Sequence, residues 1–590
     1  MIKLSDYVAK RLKEHGVKHF FMVSGGGAMH LNDSLGRVLP YTACHHEQAC
    51  AIAAEGYARI NQELGVVNVT TGPGGLNCMN GLFGQWTDSV PVLYISGQVK
   101  RRTMLDNCKT KTRQLGDQEV DIITTVKHLT KYAVCVKEPN EIKYHIDKAI
   151  HEALSGRKVP CWIDIPIDVQ STMINEDELI DFSPEKHYVS DLSKINIVID
   201  KLENAKKPLI IAGHGIRLSK TIKDFKDFID KIKIPAVTTF NGFDIMETDN
   251  PFYVGRIGTV GQRAGNFALQ NADLILCFGT RNNVRQVSYN WENYAKNAYK
   301  IVVDIDNSEL NKPLVTPDLA ICADLKEFLP ELINKMHNPE GNQFRNWLDF
   351  CTNLKNKYSF ENHPEIEQKD TIEPYHFTHT LTKCMNENDI MIMANGSACV
   401  CPFQNAIVKK GQRYILNSGN ASMGYGLPAS IGACFKAKER NVICLEGDGS
   451  IMMNLQELQT VKHYNLPIKI FIIKNNGYSS IRQTQRNFFN GHMTGSGVDS
   501  GISVPDFTAL GIAFGIKSIK INNPITMERD IDNILNMKGA VICEVETVQE
   551  YSFLPKLSSR VLEDGSMVSA TLEDMYPFLD REEFNKNFYE

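Results

Sequence analysis

At 590 residues and 66.4 kDa the chain is long enough for about three domains, each with a core of its own. Its formal net charge of −5 and pI near 6.4 give no electrostatic case for binding nucleic acid or an anionic membrane surface, and no apolar run approaches the roughly 20 residues that span a bilayer. The fifteen cysteines are scattered without a CxxC pair or a regular framework, which suits reduced thiols in a cytosolic protein better than disulfides.

The first residues predict an amphipathic helix rather than a signal sequence. Over residues 1–175, apolar strands at 18–23, 66–70, 90–95 and 161–165 alternate with helical patterns, and Pro166 closes the last strand. That alternation predicts a doubly wound parallel α/β domain. Gly25, Gly26 and Gly27 follow the first strand, as either a tight turn or a ligand-facing loop. His45-His46-Glu47-Gln48 opens a helix in which Glu47 has alanine and apolar neighbours, a setting costly for a carboxylate without a partner. The plainer reading of Glu47 is an acidic residue near a helix N-terminus. Thr71-Gly72-Pro73-Gly74-Gly75-Leu76-Asn77 is a strand-ending loop, and Cys44, Cys50 and Cys78 read as small core residues. Lys131 is either an anion contact or an exposed helix lysine.

A polar, acidic stretch at 176–194 is expected to be a linker. The second domain, 195–335, alternates again, with strands at 208–212, 235–239, 274–278 and 301–304. Residues 336–370 read as a helix plus linker, and the third domain runs from 371 to 550, with a tail at 551–590. A strand at 390–394 ends in the turn Asn395-Gly396-Ser397, a source of diphosphate contacts.

The most informative stretch is Gly447-Asp448-Gly449-Ser450, where an apolar strand breaks into a helix. Glycines let backbone approach a phosphate closely, and the first N–H groups of the new helix point at it. Asp448 cannot itself face a phosphate, which calls for a hard cation such as Mg²⁺ between them. A second strand, 468–473, ends in Lys474-Asn475-Asn476-Gly477, and Asn475 stands 27 positions after Asp448. Strand, helix and parallel strand return both side chains to one carboxyl edge. Asp448, the Asn475 amide oxygen, the Gly477 carbonyl and two diphosphate oxygens would then surround Mg²⁺. An ordinary βαβ unit with a helix-capping Asp is the alternative.

Gly447-Asp448-Gly449 followed by Asn475-Asn476 resembles the signature of thiamine diphosphate (ThDP) enzymes. From the first residues to about 550, the chain resembles the acetolactate synthase and pyruvate decarboxylase group. The resemblance implies three domains: pyrimidine-binding, central and diphosphate-binding. It places on Glu47, between His-Glu-Gln and Glu-Gly-Tyr-Ala-Arg, the protonation of the cofactor's N1′. Gln118 would address the substrate, although Asp117 stands where the synthases carry an aromatic residue. Cofactor contacts are expected from Gly25, Gly26, Pro73 and Asn77, from Asn395, Gly396 and Ser397, and from Gly447, Gly449 and Ser450. The segment Gly477, Tyr478, Ser479, Ser480 and Ile481 is expected to contribute as well. In Asn417-Ser418-Gly419-Asn420-Ala421-Ser422-Met423-Gly424, Met423 would wedge between the two cofactor rings and the Ala421 carbonyl would accept from the 4′ amino group.

The synthases' middle domain carries FAD. Gly213-His214-Gly215, Gly255 to Gly261, Arg281 with Arg285, and Asp304-Ile305-Asp306 lie at equivalent places, while Asn282-Asn283-Val284 departs from the pattern. The halves of the site come from different subunits in this family, which implies a homodimer or homotetramer. Ser480 and Thr484 replace a methionine and a tryptophan of the synthases, predicting a larger, more polar acceptor pocket. The tail, with Lys556, Arg560 and several hydroxyls before an apolar anchor, either lies over a cleft and touches phosphate or is a packing extension. It resembles the tails of carboligases from surface-polysaccharide gene sets, the yersiniose-type branched-sugar enzymes. The expected function is ThDP- and Mg²⁺-dependent decarboxylation of a 2-keto acid, pyruvate foremost, with transfer of the two-carbon unit to a keto acid or a nucleotide-linked ketosugar. Simple decarboxylation, C–C bond hydrolysis of a cyclic diketone, and a non-catalytic regulatory subunit are the alternatives.

Overall fold

The structure is a computed structural model that describes residues 1–184, 190–337, 343–437, 439–561 and 564–589, with Arg560 and Val561 described by backbone alone. The predicted linker positions 185–189 and 338–342, and the Arg560 side chain, lie outside the described residues.

Three six-stranded sheets, each wholly parallel, form three α/β domains. The reason is composition: interior strands such as Leu274–Phe278 and Val442–Gly447 are apolar almost throughout and buried on both faces, which only helices on both sides can satisfy. Across the first sheet the order is Tyr41–Ala43, Phe20–Met22, Gly65–Val69, Val92–Gln98, Cys161–Pro166, Tyr132–Cys135. The third sheet runs Arg413–Ile415, Ile390–Met393, Val442–Gly447, Ile468–Lys474, Val541–Glu546, Lys517–Ile521. Counted in chain order within each sheet, both follow 2-1-3-4-6-5. The central sheet instead runs Tyr253–Arg256, Ala236–Thr238, Pro208–Ala212, Leu274–Phe278, Tyr299–Asp304, Leu319–Cys322, which is 3-2-1-4-5-6, the order of dinucleotide-binding sheets.

In every sheet the chain starts inside, runs to one edge and then jumps back, opening a crevice at the carboxyl ends of the two strands flanking the reversal. Those strands are Phe20–Met22 and Gly65–Val69, Pro208–Ala212 and Leu274–Phe278, and Ile390–Met393 and Val442–Gly447. The glycine-containing motifs singled out above follow five of these strands, and Arg281 follows the sixth, Leu274–Phe278.

The first and third domains pack helix against helix, Glu47–Asn61 on Gly426–Lys436. Small residues permit the approach: a Cβ on Gly56 would lie 2.1 Å from the Ala429 carbonyl oxygen, and one on Gly432 would lie 1.8 Å from that of Ala53. Within this seam Arg59 is buried, donating to Asp88 Oδ2 at 2.8 Å and the Leu416 carbonyl at 2.7 Å, with Glu55 beside its Nε at 3.0 Å. Burial pushes the Glu55 carboxyl up to about 7 against the pull of Arg59, and the Tyr425 hydroxyl donates to it at 2.9 Å. Cys44, Cys50 and Cys78 are buried in the core of this seam.

Beyond the central sheet, helix Arg345–Lys357 buries Trp347, Cys351 and Leu354 against the central domain, so this stretch is as much structural as connecting. Near the other connection, Met173–Ile174 pairs antiparallel with Ile2–Lys3.

Candidate functional site

Asp448 is the first residue of the short helix Asp448–Ile451, directly after a buried strand. The neighbouring strand Ile468–Lys474 runs parallel with Gly447 opposite Ile473, so Asn475 arrives at the same edge. There Asp448 Oδ1 accepts from the Gly449 N–H at 2.6 Å, and Oδ2 accepts from those of Asn475 at 2.9 Å and Asn476 at 2.6 Å. Burial pushes the Asp448 carboxyl up while these N–H donors pull it down; burial wins. Asn475 is 3% exposed and its Oδ1 has no partner. A buried amide oxygen left unpaired costs about 1–3 kcal/mol, and a cation held beside Asp448 would satisfy it. No group of three His, Cys, Asp or Glu placed to hold a metal ion occurs among the described residues. The donors here are carboxylate, amide and carbonyl oxygens, which suit Mg²⁺ and not a soft metal. Gly477 has φ +125°, and Gly449 must be glycine because a Cβ would meet the Tyr478 ring at 2.4 Å.

Two longer helices begin beside this corner, Ser397–Asn405 and Ser479–Phe488, with Ser397 and Ser479 as their first residues. Their hydroxyls lie 3.3 Å apart, and Asn475 Nδ2 donates to Ser479 at 3.4 Å. Gly396, at φ +55°, turns the chain into the first of these helices. Three helix N-termini thus meet at one carboxyl edge, an arrangement that attracts a diphosphate. The loop 417–425 lies against them. Asn395 Nδ2 donates to the Ala421 carbonyl at 3.2 Å, and the Gly424 N–H donates to Ser450 Oγ at 3.0 Å. Ala421 is held at φ +55° and Met423 is half-buried between the tethered residues. Along helix Ser479–Phe488, Ile481 and Thr484 are exposed and Ser480 is half-buried, with Thr484 Oγ1 donating to the Ser480 carbonyl at 3.1 Å.

In the first domain, Gly25 packs on Thr70, whose Oγ1 accepts from the Gly27 N–H at 3.0 Å, so the glycine triplet is a turn held across the crevice. Gly72 has φ +62°, and a Cβ there would lie 2.0 Å from the Gln118 carbonyl oxygen. This brings exposed Gln118 to the turn that starts helix Pro73–Asn77. Asn77 Nδ2 donates to Glu47 Oε2 at 2.9 Å. Glu47 itself is half-buried, which corrects the expectation of an apolar setting: as the first helical residue it projects from the sheet edge, while the helix buries the residues behind it. The fully buried carboxyl of that helix is Glu55. Among the described residues, Glu47 makes no hydrogen bond to the Asp448 corner, so one chain does not join the two by direct contact. Lys131 is no free anion contact either; its Nζ donates to the carbonyls of Glu152 and Ser155 and pairs with the Glu152 carboxylate at 3.1 Å.

Sequence reasoning missed two residues of this region. Asn80 of the first domain donates to Ser422 Oγ at 2.7 Å and accepts from Asn420 at 2.9 Å, tying the loop to that domain. Tyr551 reaches back from the tail to the Ser397 and Ser479 hydroxyls. The end of the tail packs on the central domain, as the extension alternative expects. Leu572, Met575 and Leu579 are buried, Asn266 and Arg263 of the central domain donate to the Leu572 and Met575 carbonyls at 2.9 and 3.1 Å, and the Tyr589 N–H donates to Asn271. Residues 572–589 are therefore a packing extension of the central domain.

At the central sheet's crevice lies a cavity of about 400 Å³. Its floor is backbone against backbone, since a Cβ on Gly213 would lie 2.3 Å from the Gly279 carbonyl oxygen. Arg281, Arg285 and Asp304 line it, together with Asp88 from the first domain and Ser418 from the 417–425 loop. The buried His214 ring nitrogens, also at its wall, have no partner. Burial and the neighbouring arginines hold that imidazole well below its usual range. Close glycine backbone, cations and unpaired polar atoms fit a phosphorylated ligand such as a dinucleotide.

Three family models match in succession: the N-terminal thiamine pyrophosphate (TPP) binding domain of thiamine pyrophosphate enzymes over residues 2–123, their central domain over 195–332, and their C-terminal TPP binding domain over 395–545. The acetolactate synthase large subunit of Lactococcus lactis is 32% identical over 566 residues, covering 95% of both chains. The acetolactate synthase isozyme 2 large subunit of Escherichia coli is 31% identical over 92% of this chain and 95% of its own. The chloroplastic acetolactate synthase 1 of Nicotiana tabacum is 29% identical over 94% of this chain and 83% of its own. No helix among the described residues is long and apolar enough to cross a membrane.

Proposed function

Because this chain belongs to the thiamine pyrophosphate enzymes and is acetolactate synthase-like, we propose that it removes CO₂ from a 2-keto acid, pyruvate foremost, and transfers the remaining two-carbon unit to a second carbonyl compound. It is a ThDP-dependent enzyme of carboligation or decarboxylation; the donor, the acceptor and the residue roles are our assignment. The observation that carries the assignment is the unpaired, buried Asn475 Oδ1 beside Asp448, at the edge where three helices begin.

Asp448, Asn475 and the Gly477 carbonyl would hold Mg²⁺, with Gly396, Ser397, Gly447, Gly449, Ser450 and Ser479 around the diphosphate. Asn395, Ala421, Met423, Tyr478, Ser480 and Ile481 would flank the rings, and Gly25, Gly26, Pro73 and Asn77 the pyrimidine side. Bound there, ThDP supplies an electron sink for the bond to CO₂. The protein's part is positioning and proton control. Glu47 holds and returns a proton at the pyrimidine N1′, and Asn77, donating at 2.9 Å, fixes the carboxylate that does so. Gln118, on the exposed rim by Gly72, orients the substrate carboxylate. Since Glu47 is open on one side, a second copy is assigned to close the site, in a homodimer or homotetramer in the cytoplasm.

For the acceptor, the exposed Thr484 and half-buried Ser480 favour a bulky hydroxylated partner, a nucleotide-linked ketosugar of polysaccharide synthesis, over a second keto acid. Incubation of the protein with ThDP, Mg²⁺ and ¹³C-pyruvate against keto acids and nucleotide ketosugars, read by NMR, should place label on the ketosugar. Label only in acetolactate would make the keto acid the acceptor. Ser480→Met with Thr484→Trp should shift preference toward the keto acid by about tenfold or more; unchanged preference removes the wide-pocket argument. The central cavity is assigned to FAD on its strand order and its glycine floor, and a protein purified without yellow colour would refute that.

A further inference from the structure

The first residues past the last strand of the third sheet do not leave the molecule's centre directly. Arg482 donates to the Gln549 carbonyl at 2.8 Å, the Leu554 N–H donates to the Tyr375 hydroxyl at 3.0 Å, and Gln404 donates to the Pro555 carbonyl at 2.6 Å. Pinned at both ends, this segment turns the Tyr551 hydroxyl onto Ser397 and Ser479. It hydrogen-bonds the Ser397 hydroxyl and lies 3.1 Å from that of Ser479, which is itself 3.3 Å from Ser397. Both serines are buried, 6% and 8% exposed, and each opens a helix.

Three hydroxyls in a closed triangle carry three protons and can spend all of them on one another. An anion beside two of them changes the count. If Tyr551 donates to a serine, both serine protons are free to point outward, and the phenol, a stronger acid than a serine hydroxyl, is the better terminal donor. Without the phenol, Ser479 keeps the Asn475 Nδ2 donor at 3.4 Å while the Ser397 oxygen draws the Ser479 proton, and one serine proton remains for the anion.

We propose that Tyr551 is a positioning residue for the cofactor's diphosphate, directing the Ser397 and Ser479 hydroxyls toward the phosphate oxygens. The inference rests on the ThDP reading and adds to it a residue from the tail. It also ties the tail to cofactor occupancy, since the segment carrying Tyr551 continues into the part packed on the central domain.

The test is ThDP affinity in Mg²⁺, measured by calorimetry on the full chain, for wild type, Tyr551→Phe, Ser397→Ala and the double variant. Tyr551→Phe is expected to weaken binding about tenfold, the worth of one hydrogen bond to a charged network, while the cofactor-free thermal midpoint moves by no more than about 2 °C. The double variant is expected to bind within about twofold of the weaker single variant, because both changes break one network. Unchanged affinity in Tyr551→Phe, or losses that multiply in the double variant, overturns the proposal and leaves the ThDP reading intact. A wild-type chain that takes up no ThDP overturns both.

Discussion

Asp448 and Glu47 are both carboxylates on the first residue of a helix that follows a parallel strand, yet the chain surrounds them differently. Asp448 is 1% exposed and receives backbone N–H groups from its own turn and from the next strand's end, beside an amide oxygen waiting for a partner. Glu47 is half-buried, with the Asn77 side chain as its hydrogen-bonding partner. The Asp448 corner is thus finished by one polypeptide, whereas Glu47 faces outward. The difference follows from what each must do. On the proposed assignment, a cation and a diphosphate need a rigid cage assembled before binding, while an acid that exchanges a proton with a pyrimidine must stay reachable until the pyrimidine and a second copy cover it.

Substitutions at the two corners should separate in kind. On the proposed assignment, Glu47→Ala removes the proton carrier and little else, so turnover of pyruvate should fall by about 10²- to 10⁴-fold, with ThDP affinity within a few-fold of wild type by calorimetry. A variant that turns over normally would detach Glu47 from the mechanism. Asp448→Ala should do the opposite. The Mg²⁺-dependent part of ThDP affinity is expected to drop by about 100-fold, and the cofactor-free protein should lose about 2 kcal/mol or more of stability in urea, because the N–H groups of Asn475 and Asn476 lose their acceptor. Mg²⁺-dependent binding that survives Asp448→Ala would erase the contrast.

The same contrast governs what could be read from sequence. The Asp448 corner was legible because one βαβ unit builds it, so spacing alone joins Asp448 to Asn475. The interior strands were legible as apolar runs, but the sheet edges were not: Tyr41–Ala43, Tyr132–Cys135 and Lys517–Ile521 are short and partly exposed, and their patterns carry few buried apolar residues. Val541–Glu546 was missed although it is interior, because Glu544 and Glu546 interrupt the run; Lys474 and Lys520 lie 2.9 and 3.0 Å from the Glu544 carboxylate and make its burial affordable. Tyr551 and Asn80 belong to no local pattern. Asn80 meets Ser422 only once the first and third domains dock, and Tyr551 meets Ser397 across 154 positions of the third domain and its continuation, and periodicity carries no signal for either. Glu47 was correctly placed at a helix start, but the neighbours that matter to it lie across the sheet edge, not along the helix.

The smallest expected effect concerns the first domain's support for its open corner. Asp164 is 1% exposed; Ser96 Oγ donates to it at 2.6 Å and Gln98 Nε2 at 3.0 Å, and Gln98 in turn accepts from Thr71 at the start of the Gly72-Pro73 turn. Burial pushes this carboxyl up from 3.8 to about 7, so the fold favours its protonated form. Its contribution to stability is complete below the unfolded value of 3.8 and is lost as pH rises through about 7. Between pH 5 and 7 the wild type should therefore lose stability from this group at no more than about 1.4 kcal/mol per pH unit, the limit for one proton. Asp164→Asn should flatten that slope, seen as urea midpoints that converge with wild type at low pH and exceed its trend near pH 8. An unchanged slope would mean that the ionised carboxylate is as well held as the neutral one.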